Sequence, residues 1–167
     1  MAKLHPGVVT FGVLGILFGL VGLVYNAFLE ALMVAIKASP DQFGAQGATV
    51  AAAVTPLVLA SGAVNIATGL MVLAAGIGVF FIKPWARACY LWAAAMTIAN
   101  RLIVFPLHFT AHPAAGRQAD AVTQLASRIG GVMGDAGMIL FNGVVIWFFS
   151  RPAITAVFAP SRPQAAS

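Results

Sequence analysis

Charge is what this chain has least of. Charged residues make up 8% of its 167 positions and only four of them are acidic, where a water-soluble domain carries roughly 25% charged residues. Hydrophobic residues make up 61%, more than a soluble fold of this length can remove from water, so the soluble globular classes are excluded. Cysteine is nearly absent: Cys89 stands alone, which rules out an intrachain disulfide and any Cys-x-x-Cys redox or zinc motif.

Histidine is also scarce. His108 and His112 have the four-residue spacing of many metal ligands, but Pro106 and Pro113 interrupt their helix. His5 belongs on the other side of a membrane, so no facing pair is left to clamp a haem iron. Ser61 and Ser127 have no histidine at their depth, and neither a Gly-x-Ser-x-Gly nor a glycine-rich phosphate loop occurs. The expectation is a protein without a metal, without a cofactor and without catalysis. The net charge of +5 comes from scattered cations with no aromatic-interleaved basic stripe, so no nucleic-acid partner is expected.

What the chain has in quantity is long apolar runs. A spanning helix needs about 20 apolar residues at 1.5 Å rise each. Val8 to Ile36, Pro56 to Ile82, Trp85 to Phe109 and Ile129 to Phe149 all meet that length. The pattern predicts an all-α, polytopic membrane protein: a four-helix transmembrane bundle forming one domain over residues 1–158, partnered by the lipid bilayer. The tail 159–167, with Pro160 and Pro163, is expected to be flexible and cytoplasmic. Lys3 followed by an apolar run resembles a secretory signal, but the run from Val8 to Val24 exceeds the usual 7–15 residues, so it is read as a retained first helix.

Orientation follows from the cations. Lys3, Lys83, Arg87, Arg151 and Arg162 fall on one side, and Lys37, Arg117 and Arg128 on the other, with Asp41 and Asp120. The richer side is cytoplasmic by the positive-inside bias, which predicts a plasma (inner) membrane protein with both termini inside.

The second and fourth spans share their punctuation. Gly62, Gly69, Phe80-Phe81 and Lys83-Pro84 are matched 68 residues later by Gly130, Gly137, Phe148-Phe149 and Arg151-Pro152. Paired aromatics, a cation and a helix-stopping proline mark an interfacial exit. The match is either a common way of leaving a membrane or an internal two-hairpin duplication. Residues 37–49, with Ser-Pro-Asp and two glycines, read as a turn. Residues 117–129 read either as a short amphipathic surface helix or as a loop leading into the fourth helix.

Two features single out residues within the spans. The first is glycine. Gly12, Gly15, Gly19 and Gly22 share one face of the first helix, Gly62, Gly69 and Gly76 recur at heptad spacing in the second, and Gly130, Gly134 and Gly137 mark the fourth. Lipid tails are as apolar as leucine, so membrane helices associate by close approach, which such faces permit. They predict packing within the bundle, or between copies or other membrane-protein subunits.

The second is a polar layer. Arg101 lies 17 residues beyond Pro84, and Asp135 lies 17 before Pro152. Both therefore sit about 25 Å from the inner boundary, at one depth inside a core about 30 Å thick. An unpaired charge there is expensive, so the two are expected to pair. Asn65 and Asn100 fall near the same level, while Asn26 and Glu30 lie about 30 and 36 Å above Pro6, towards the outer interface. The expected role is a structural, assembly or accessory subunit of a membrane complex, oligomeric in the sense that glycine faces imply. The alternative is a small transporter or channel-like protein with its polar site in the outer leaflet.

Overall fold

A computed structural model describes residues 6–106 and 121–159, with the backbone alone at 45–46 and 121–128. Every regular element among the described residues is helical. Helix α1 covers Pro6–Ala38 and is followed by a 3-10 segment, Pro40–Gln46, and helix α2, Gly47–Ala53. Helices α3 (Pro56–Phe80), α4 (Pro84–Val104), α5 (Ala121–Ser150) and α6 (Pro152–Val157) complete the order. His5, His108, His112, residues 117–120 and the tail from Pro160 lie outside the described residues.

Prolines set the starts. Pro56, Pro84 and Pro152 each occupy the first helical turn, where the missing N–H breaks no bond and the fixed φ suits the helix. Thr55 caps α3 by accepting from the Val58 amide at 3.3 Å. Lys83 and Arg151 both hold extended backbone (φ −79, ψ 128 and φ −63, ψ 136) without a side-chain cap, so the shared cation-proline pair enters the following helix in the same conformation twice. The two exits differ in packing: Phe81 is exposed, whereas Phe148 and Phe149 are buried. At the first exit, Ile82 adopts φ +51, a left-handed conformation that strains a β-branched residue. The turn closes there with the Lys83 amide donating to Gly78 O at 3.1 Å.

Three helical stretches are long and apolar enough to cross a membrane: Pro6–Ala38, Pro56–Phe80 and Ile129–Ser150. One of the four expected spans is not among them. Helix α4 has 21 residues, including Arg87, Asn100 and Arg101, and falls outside that class. It also ends at Val104, short of the expected Phe109, with Phe105 and Pro106 in a turn. The connector at 37–49 is not a simple turn either, because the 3-10 segment and the start of α2 occupy it. There Lys37 Nζ donates to Val54 O at 2.6 Å, meeting a carbonyl that the end of α2 leaves open. At 121–129 the helix runs without a break into α5, so the described part of that stretch is the beginning of the fourth long helix.

The helices pack in the order α1 on α3, α3 on α4 and α4 on α5. Backbone approach explains the first pairing. A Cβ added at Gly19 would stand 2.6 Å from the Leu73 amide, one at Gly76 would stand 2.7 Å from the Ile16 amide, and one at Gly12 would press on Phe80 and Val79. Gly69 sits in ordinary contact with Leu23. Gly22 and the α5 glycines Gly130, Gly134 and Gly137 meet nothing within 4 Å among the described residues, so on those the expected close packing inside the bundle is not seen. The buried core gathers at the end where α5 meets α6. Val8, Val79, Phe149 and Ile154 are fully enclosed there, with Ala75 and Ala86 filling the gaps.

Candidate functional site

Helices α4 and α5 run antiparallel and are joined by two polar rungs. At one end the Arg87 guanidinium donates from Nε to Phe149 O at 2.7 Å. At the other, Arg101 Nη1 stands 3.1 Å from Asp135 Oδ1. The partners are 14 positions apart on both helices, so each rung interval is about 21 Å and the two helices stay in register along nearly all of α4.

The Arg101 rung is asymmetric in burial, with the arginine side chain 29% exposed and the aspartate 4%. Beside it Asn100 is buried and donates to Asn65 Oδ1 at 3.1 Å and to Ser61 O at 3.4 Å, joining α4 to α3. Asn26 turns back on its own helix and donates to Gly22 O at 2.6 Å. Glu30 stands further along α1, its carboxylate occupying the space a side chain at Gly62 would need. The candidate residues thus divide. Asn65, Asn100, Arg101 and Asp135 are connected by hydrogen bonds or an ion pair, whereas Asn26 and Glu30 are not joined to them.

Around this layer, α1, α3, α4 and α5 line an open cavity of about 140 Å³. Its polar wall is made by Asn26, Asn65, Thr68, Thr97, Arg101 and Asn142. Phe18 and Phe141, whose rings meet edge to face at 6.1 Å, line both this cavity and a smaller apolar one of about 40 Å³ beyond it. Below that, Phe11, Tyr90, Phe148 and Phe149 interlock: Tyr90 stacks on Phe149 at 4.8 Å, and Phe11 meets Phe148 at 4.6 Å and Phe149 at 5.5 Å. Tyr90 satisfies its hydroxyl by donating to Phe11 O at 2.6 Å, as a buried phenol must. The polar space therefore stops at aromatic rings on the side of Arg87.

Sequence reasoning used Arg87 only for orientation and did not single out Tyr90, Thr68 or Thr97. Two signals carry them: Thr68 is three residues after Asn65 and Thr97 four before Arg101, so each shares a helical face with a polar-layer residue. Arg87 and Tyr90 have no comparable mark in the sequence. No group of three or more His, Cys, Asp or Glu able to hold a metal occurs among the described residues. Compared with family models, with curated proteins and with solved structures, the chain gives no match.

Proposed function

We propose that this chain is a four-span integral protein of the plasma (inner) membrane, with both termini cytoplasmic, serving without catalysis as a structural, assembly or accessory subunit. The observation that carries the reading is that Arg87, Arg101 and Asp135, the charges between α4 and α5, are committed to architecture. Arg101 is paired with Asp135, Asn100 is bonded to Asn65 and Ser61, and Arg87 closes on Phe149 O, each across two helices.

The two rungs support a fourth span despite the modest apolarity of α4. A helix held in register along a membrane-crossing neighbour crosses with it, and its polar groups are tolerated because they face partners rather than lipid. Subunit contact is assigned to α5, where Gly130, Gly134 and Gly137 are open among the described residues and Met133, Leu140 and Trp147 are exposed. Such a face admits close approach of another transmembrane helix, from a second copy or from a different subunit.

Gentle purification of the full chain tests this. Wild type is expected to elute as a complex in which light scattering and mass spectrometry identify the partner, and Gly134→Leu to elute as a folded monomer. Elution of both as the same monomer would count against a subunit role. The alternative is a small transporter or channel with its polar site in the outer leaflet, favoured by the cavity beside Arg101. The aromatic rings that close its inner side support the structural reading instead.

A further inference from the structure

The bonds that hold the polar layer leave a definite remainder, and most of it borders one cavity. Asn26 and Asn142 each use their amide nitrogen on a carbonyl of their own helix, Gly22 O and Met138 O, so each keeps its Oδ1. Thr68 and Thr97 likewise donate their hydroxyl protons to backbone carbonyls and keep only lone pairs. Asn100 can meet Ser61 O only with its amide nitrogen, which fixes Asn65 Oδ1 as acceptor and leaves the Asn65 amide nitrogen as a donor. Arg101 adds a second donor: its side chain lines the cavity, is 29% exposed, and carries guanidinium N–H groups beyond the one on Asp135 Oδ1. Arg101 is already neutralised by Asp135, so the cavity has no net charge to offer.

We infer that this cavity is a binding site for a small uncharged, hydroxyl-rich molecule of the polyol class. Four acceptors and two donors around an electrically balanced space match hydroxyl groups, each of which donates once and accepts. An anion would meet the four acceptor oxygens, and a cation would meet the Arg101 guanidinium. Either would enter the low-dielectric interior without a counter-charge. A cavity of about 140 Å³ is close to the size that holds a molecule of about six heavy atoms. This site adds to the subunit role and does not depend on it.

The test is saturation-transfer NMR on the full chain in glycerol-free detergent micelles, with glycerol, acetate and ethylammonium as separate probes. Gly22 lines the cavity, and a Cβ there meets nothing within 4 Å, so Gly22→Leu fills the space without displacing a packed neighbour. Val21→Leu, on the exposed face beside it, serves as control. Saturation is expected to reach glycerol in wild type and Val21→Leu and to fall to background in Gly22→Leu. The near-isosteric Thr68→Val, which removes one acceptor and no volume, should lower it by about threefold or more, and it decides the matter if Gly22→Leu does not fold. Transfer to glycerol that survives both Gly22→Leu and Thr68→Val, transfer favouring either charged probe, or no transfer to glycerol because water alone fills the space would overturn the inference.

Discussion

Asp135 is almost fully enclosed and its Arg101 partner only partly so, which makes the two removals unequal. Taking away one member of a buried pair strands the other and typically costs about 3 kcal/mol or more, whereas replacing both by apolar residues is often close to neutral. Arg101→Leu is therefore expected to lower the thermal midpoint in detergent sharply, and Arg101→Leu combined with Asp135→Leu to recover most of the loss. A double variant no more stable than Arg101→Leu would show that the pair does not act as a unit. Tyr90→Phe should be milder, about 1 kcal/mol, since one hydrogen bond to Phe11 O disappears while the stack on Phe149 remains; chemical denaturation of the two proteins measures the difference.

At this scale the pair was legible because a helix rises uniformly: counting back from Pro84 and Pro152 places both charges at one depth, and the same count brings Asn65 and Asn100 beside them. Counting along α1 was less informative. Depth says nothing about azimuth, and Glu30 lies over Gly62 rather than joining the layer. The Tyr90 bond was not legible at all, because its acceptor is a backbone carbonyl 79 residues away in sequence.

Among the elements, glycine has two different uses. On α1 and α3 most glycines let backbones touch, and on α5 Gly130, Gly134 and Gly137 leave a face open among the described residues. Gly19→Leu would drive a side chain into the Leu73 backbone and Gly76→Leu into Ile16, so each should destabilise the protein by several kcal/mol, about the scale of overpacking a core. Gly130→Leu should leave the unfolding midpoint of the monomer unchanged, since its Cβ has no neighbour to displace among the described residues. Parallel denaturation of the three variants distinguishes these cases, and equal losses would contradict the packing described.

The periodicity of the glycines was visible in the sequence, but their partners were not, because spacing defines a face without saying what lies across it. Helix starts were legible through Pro56, Pro84 and Pro152. The connector at 37–53 was less so: Ser-Pro-Asp and glycine signal a break, yet the chain recovers helical hydrogen bonding within a few residues and uses Lys37 to close it.

For the whole molecule, the sequence made the apolar class and the helical fold plain. The number of spans was harder, because the residues that tie α4 to α3 and α5 lower its apolarity. A window of hydropathy counts Arg87, Asn100 and Arg101 as if they faced lipid, while in the fold each is bonded to a neighbouring helix. Whether α4 crosses fixes the topology, the identity of the two faces and the side on which the cavity opens.

Labelling single cysteines with a membrane-impermeant maleimide measures this most directly. In a Cys89→Ser background, Ser39→Cys, Lys83→Cys and Arg151→Cys are each probed in intact cells and in inverted vesicles. If four helices cross, Lys83→Cys and Arg151→Cys react from the cytoplasmic side and Ser39→Cys from the opposite side. If only three cross, Lys83→Cys and Arg151→Cys react from opposite sides, and the bundle described above is contradicted.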